Sequence, residues 1–240
     1  MHLHPEQDRN LIDHNEEHIT SSEFIKDMVI GMSDGLTVPF ALAAGLSGAV
    51  ASSSLVVTAG LAEIVAGSIA MGLGGYLSGR TEIDHYNSEL KREYYEVEHL
   101  RHKELAETEE IFRNMGLSNQ TVSSAVEELA KDNDKWVHFM MKYELDLEKP
   151  DPKRARNSAF TIGLSYVAGG ILPLIPYIFI DSPTEGLKIS AVVTLICLFI
   201  FGYYKSKLTG QPLLQGALKV MAIGAIAAAF AFGIAKLFSE

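Results

Sequence analysis

Five apolar blocks set the pattern of this chain, over residues 28 to 50, 53 to 79, 157 to 180, 189 to 204 and 212 to 235. A helix needs roughly 20 predominantly apolar residues to cross a bilayer, so the blocks predict five spanning helices. The fourth is short between Lys188 and Lys205, which can snorkel, and the fifth has Lys219 near its start. Between the second and third blocks the pattern turns polar. SELKREYYEVEHLRHKELAETEEIFRNMG reads as one long helix ending near Gly116, followed by helices over roughly 118–132 and 134–147. The expected fold class is all-α: a polytopic membrane protein of five transmembrane helices with a three-helix insert between the second and third. Its parts are a disordered tail over 1–22, spans one and two over 23–80, a helical metal-binding domain over 81–156, and spans three to five over 157–240.

Charge fixes the expected orientation. Arg9 and Lys26 precede span one, Arg80 follows span two, Lys153, Arg154 and Arg156 precede span three, and Lys205 with Lys207 follows span four. The other links, SGAVASSS and DSPTEG, carry no basic residue. Basic residues collect on the cytosolic side, which places the N-terminus and the insert in the cytosol and the C-terminus across the membrane. The net charge of −10 argues against a nucleic-acid partner and favours cations. The tail MHLHPEQDRNLIDHNEEH has no apolar core and is not a secretory signal; its His2, His4, His14 and His18 suit only weak metal contact. The lone Cys197 excludes an intrachain disulfide.

Chemistry enters with the charges that the apolar blocks do contain. Span one, GMSDGLTVPFALAAG from Gly31 to Gly45, holds Asp34 and is interrupted by Pro39, which leaves the Gly35 carbonyl free. Span two holds Glu63 and Met71. A carboxylate near the centre of a spanning helix costs on the order of 3 kcal/mol and marks an ion path by default, although a protonated packing residue is the plain alternative. With a turn near Ala51, Asp34, Glu63 and Met71 lie roughly 25, 18 and 30 Å from that end. They form rungs of a path, Met71 nearest the cytosol. A thioether suits ferrous iron better than magnesium or calcium, though methionine in a membrane helix is commonly packing. Gly31 with Gly35 and Gly75 with Gly79 suggest close packing of spans one and two, while the third to fifth spans read as scaffold.

In the insert, Glu93, Glu96, Glu104 and Glu107 fall on one face of the predicted long helix. Its two Glu-x-x-Glu pairs would sit roughly 16 Å apart, each needing its own ion. Met140 and Met141 share a face with Glu144 on the third helix. A solvated acidic face is the plain alternative. Glu82-x-x-His85 and Glu96-x-x-His99 also match the Glu-x-x-His element of di-iron carboxylate proteins, a weak signal on a single helix.

With DGLTVPFALAAGLSGA in span one and AEIVAGSIAMGLGGYLS in span two, the chain resembles the vacuolar iron transporter family, its plant members closely, over about residues 24 to 237. The resemblance implies a homodimer in the vacuolar membrane, not an enzyme and without a prosthetic group. Such a protein carries Fe²⁺ from the cytosol in exchange for protons, with Mn²⁺ or Zn²⁺ as further substrates. It implies an ion path at the dimer interface lined by Asp34, Glu63 and Met71. It also implies a cytosolic metal-binding domain with Glu93, Glu96, Glu104, Glu107, Met140, Met141 and Glu144 at the ligand positions. The residues leave two alternatives open: a membrane-anchored di-iron carboxylate oxidase, and a metal sensor or storage protein on an inert anchor.

Overall fold

The structure, a computed structural model, describes residues 17–238, with side chains from residue 23 onward. The expected N-terminal tail and its histidines lie outside the described residues, apart from the helical backbone of 17–22. The described residues form eight helices and no strand: α1 Glu17–Ser47, α2 Ser53–His99, α3 Arg101–Asn114, α4 Asn119–Leu129, α5 Asn133–Tyr143, α6 Arg154–Phe179, α7 Pro183–Leu208 and α8 Leu213–Phe238. Five of them, α1, α2, α6, α7 and α8, are long and apolar enough to cross a membrane, as the blocks predict. The fourth span is not short: α7 runs for 26 residues and takes Lys188 and Lys205 inside the helix.

The chain divides into two compact units, Met1–Gly75 with Asn157–Glu240, and Tyr76–Arg156. In the first, small residues let α6 touch two neighbours backbone to backbone. A Cβ on Gly31 or Gly35 of α1 would run into the carbonyl of Ile162 or Tyr166, and one on Gly72 of α2 would lie 3.0 Å from the carbonyl of Ala159. The sequence assigned Gly31, Gly35, Gly75 and Gly79 to packing between spans one and two. They pack on α6 instead, which brings its own small residues, Ser158, Ala159, Gly163 and Gly169, to both contacts. Ser190 of α7 donates to the carbonyl of Pro173 (2.7 Å), and the Tyr177 and Ser47 hydroxyls share a hydrogen bond of 2.9 Å that ties α6 to α1. Apolar packing around Ala43, Val56, Ile64, Leu174 and Tyr177 fills the space between.

In the second unit the chief departure from the expected helices falls at one residue. The expected single long helix breaks at Leu100 (φ −117°, ψ 28°), and α3 starts afresh at Arg101. No glycine or proline marks the break. Arg101 holds it from outside: its guanidinium lies 4.8 Å over the Trp136 ring and donates to the Ala130 carbonyl at 2.6 Å and to Asn133 Oδ1 at 3.3 Å. Burial of Tyr86, Val97, Trp136, Val137, Met140 and Met141 in one core drives the return of the chain. The insert is thus the end of α2 followed by α3, α4 and α5, rather than three helices. Gly116, at φ +89°, turns the chain out of α3 where a side chain would be strained. Ser118 and Asp132 cap α4 and α5 by accepting from the backbone of Thr121 and Lys135. α5 ends at Tyr143, short of the expected 147, with Glu144 as its C-cap.

Candidate metal centre

The break at Leu100 decides the geometry of the acidic residues. Glu93 and Glu96 sit on the last turns of α2 and Glu104 and Glu107 on the first turns of α3, so the second pair folds back on the first. One carboxylate oxygen from each of Glu93, Glu96 and Glu104 lies within 4.8 Å of the others, and the same holds for Glu104, Glu107 and Glu144. The pairs are therefore not about 16 Å apart on one face with separate ions. They form two adjoining triads that share Glu104.

Glu93 and Glu104 are 0% exposed, and none of their four oxygens has a hydrogen-bond donor. Buried carboxylates without donors are rare, because losing hydration costs several kcal/mol per ion unless a charge replaces the water. Burial, then Glu144 and Glu96, pushes Glu93 up to about 7; burial, then Glu93 and Glu107, pushes Glu104 up to about 8. Glu144 is raised as well, by burial and then by Glu107. Two cations stand at the exposed edge: Lys103 Nζ lies 3.1 Å from Glu107, 3.8 Å from Glu96 and 3.9 Å from Glu104, and Arg92 lies 3.6 Å from Glu96 and 4.0 Å from Glu93. Neither gives Glu93 or Glu104 a hydrogen bond. A divalent cation among the triads would neutralise both buried groups and displace their protons.

The methionines stand differently. Met140 and Met141 are both buried in the apolar core of the unit. The Met140 sulfur lies 3.4 Å from Thr108 Oγ1, which donates to the Glu104 carbonyl at 2.7 Å and accepts from Trp136 Nε1 at 2.7 Å. Thr108 and Trp136, neither singled out in the sequence, thus brace the turn that presents Glu104. The Glu-x-x-His elements do not converge. Glu82 faces Arg154 at 3.8 Å, His85 lies 3.9 Å from Glu89, and His99 stacks on Tyr95 with its Nδ1 3.0 Å from that residue's own carbonyl.

Among the membrane helices, Asp34, Glu63 and Met71 are half-buried. Glu63 Oε1 accepts a hydrogen bond from the Tyr166 hydroxyl of α6, and Glu63 Oε2 is buried without a partner. The backbone of Tyr166 also packs against Gly35, the residue that follows Asp34. The third span is therefore not scaffold alone, since it brings a hydroxyl to the acid of the second. A phenol in an uncharged span needs a polar partner, which was the signal available in the sequence. Met71 precedes Gly72, which packs on α6 at Ala159.

Five apolar helices long enough to cross a bilayer, two of them holding carboxylates, define a multi-pass membrane protein. Residues 25–236 match the VIT family, and the chain belongs to it. It is similar to "Vacuolar iron transporter 1" of Arabidopsis thaliana, 52% identical over 235 residues that cover 98% of this chain and 94% of that protein. "Vacuolar iron transporter 1" of Oryza sativa subsp. japonica is 52% identical over 223 residues, 93% of this chain and 88% of that protein. "Protein CCC1" of Saccharomyces cerevisiae is 39% identical over 225 residues, 89% and 68% of the two chains.

Proposed function

We propose that this chain is a transporter of the vacuolar membrane that moves ferrous iron out of the cytosol in exchange for protons. The observation that carries the reading is the pair Glu93 and Glu104, fully buried with four oxygens lacking donors. The relatives are named vacuolar iron transporters, and a ferrous cargo would meet the charge deficit of this pair. Mn²⁺ and Zn²⁺ are further substrates, because carboxylate oxygens accept nearly all divalent ions.

In this reading the second unit faces the cytosol, where Glu93, Glu96, Glu104, Glu107 and Glu144 collect the ion and Met140 and Met141 supply a soft wall beside them. Met71 and Asp34 take it into the membrane. Glu63, with one oxygen held by Tyr166 and the other unpartnered, exchanges cation for proton. Protonation by an acidic lumen releases metal on that side and the C-terminus lies there too. The protein acts as a homodimer: Asp34, Glu63 and Met71 are only half-covered by their own chain. α2 also exposes Leu61, Val65, Ile69 and Leu73, four residues apart, for a second copy. The di-iron oxidase reading is not favoured, because His85 and His99 are engaged away from the glutamate triads.

The test is Fe²⁺ uptake into proteoliposomes with an acidic interior, following internal pH, for wild type, Asp34→Asn and Glu63→Gln. Uptake that needs the gradient, alkalinises the interior and vanishes in both variants is expected. Normal uptake by either correctly assembled variant would remove the role given to that residue.

A further inference from the structure

From 186 to 239 this acidic chain carries Lys188, Lys205, Lys207, Lys219 and Lys236 and not one carboxylate side chain. Two of these lysines meet at a cavity of about 300 Å³ where α7 turns into α8. The turn is built by glycine. Gly210 takes φ +66°, and a Cβ on Gly202 would lie 2.9 Å from Ala217 Cα, so the two helices cross in backbone contact just beyond the turn. Lys205, in the last turn of α7, is thereby brought to the same hollow as Lys219 in the second turn of α8.

The lining changes character from one end to the other. Lys205, Thr209, Gln211, Gln215 and Lys219 offer two positive charges and several hydrogen-bond donors. Val220 and Ile223 continue the wall along α8, and Ile223 opens onto the exposed apolar face of that helix. No carboxylate pairs with Lys205 or Lys219 among the described residues, whereas Lys188 is paired with Glu185 at 2.7 Å. A soluble anion would use the polar end alone. An amphiphile uses both.

We infer that this cavity binds the phosphate headgroup of an anionic membrane lipid, with the acyl chain lying on α8 past Ile223. The orientation proposed above would put the site at the cytosolic leaflet, where anionic lipids concentrate. The inference rests on that reading only for the leaflet that supplies the lipid. Lys207 is the built-in control: it lies at the same end of α7, is exposed, and does not line the cavity.

The test is native mass spectrometry of the full chain in detergent micelles, titrated with phosphatidic acid, phosphatidylcholine or inorganic phosphate. Wild type is expected to retain phosphatidic acid about tenfold over phosphatidylcholine. Lys205→Ala and Lys219→Ala are each expected to lower that retention about fivefold, the loss that one basic group near a membrane surface implies, while Lys207→Ala leaves it unchanged. Equal losses in all three variants would reduce the effect to general surface charge and overturn the site. Displacement of the lipid by millimolar inorganic phosphate would overturn the lipid assignment in favour of a free anion. Because the assay needs no gradient and no iron, its failure is separable from failure of the uptake experiment.

Discussion

Glu104 has no hydrogen-bond donor for either oxygen, glutamates around it, and only the distant Lys103 ammonium, at 3.9 Å, to offset its charge. Replacing it by glutamine removes a buried charge while keeping its shape. Glu104→Gln should therefore stabilise the metal-free protein at pH 8 by about 1–3 kcal/mol, the usual scale for a buried polar group without a hydrogen bond, while weakening divalent binding at least tenfold. Thermal unfolding with and without Co²⁺ reads both effects. The pH dependence follows in sign. Folded Glu93 and Glu104 keep protons up to about 7 and 8, whereas unfolded glutamates lose them near 4.5. Between those values the folded state binds more protons, so the stability of the metal-free protein falls as pH rises from roughly 5 to 8. Saturating metal should flatten that slope. Tyr166→Phe removes the donor to Glu63 and should slow uptake about tenfold and shift its pH profile without loss of assembly, as expected for a hydrogen bond to a carboxylate. An unchanged pH profile would reduce Tyr166 to packing.

At the scale of elements, the close approach of α1 to α6 leads to a stability prediction. A methyl at Gly31 or Gly35 meets backbone carbonyls, not flexible side-chain ends, so neither neighbour can yield without moving a helix. Gly35→Ala should cost roughly 1–3 kcal/mol, visible as a lowered unfolding temperature in detergent, whereas Gly74→Ala, where nothing lies within 4 Å, should not. The spans themselves were legible in the sequence, because apolar length is a property of consecutive residues. The break at Leu100 was not. Nothing in HLRH interrupts helix propensity, and what ends α2 there is tertiary: Trp136 and Ala130, some thirty positions on, receive Arg101. The acidic residues of the insert could be named from the sequence for their type, but their assembly into triads depended on that one reversal. The bond from Tyr166 to Glu63 was out of reach for the same reason, since 103 positions separate the partners.

For the whole molecule, the second unit is one continuous stretch, Tyr76–Arg156, while the first is made of two distant ones. If the second unit gathers the ion and the first moves it, their variants should separate kinetically. A Glu93→Gln, Glu104→Gln double variant should raise the Fe²⁺ concentration for half-maximal uptake severalfold and leave the saturated rate within about twofold, whereas Asp34→Asn abolishes the rate at every concentration. Uptake measured against Fe²⁺ concentration decides it.

Trp136 is the only tryptophan in the chain, fully buried, and bonded through Thr108 to the turn that carries Glu104. The protein therefore contains a single indole fluorophore, placed two hydrogen bonds from the acidic cluster and absent from every membrane helix. Its emission reports on one unit alone, so metal binding at the acidic cluster, as proposed above, should change the fluorescence of the intact protein without a label.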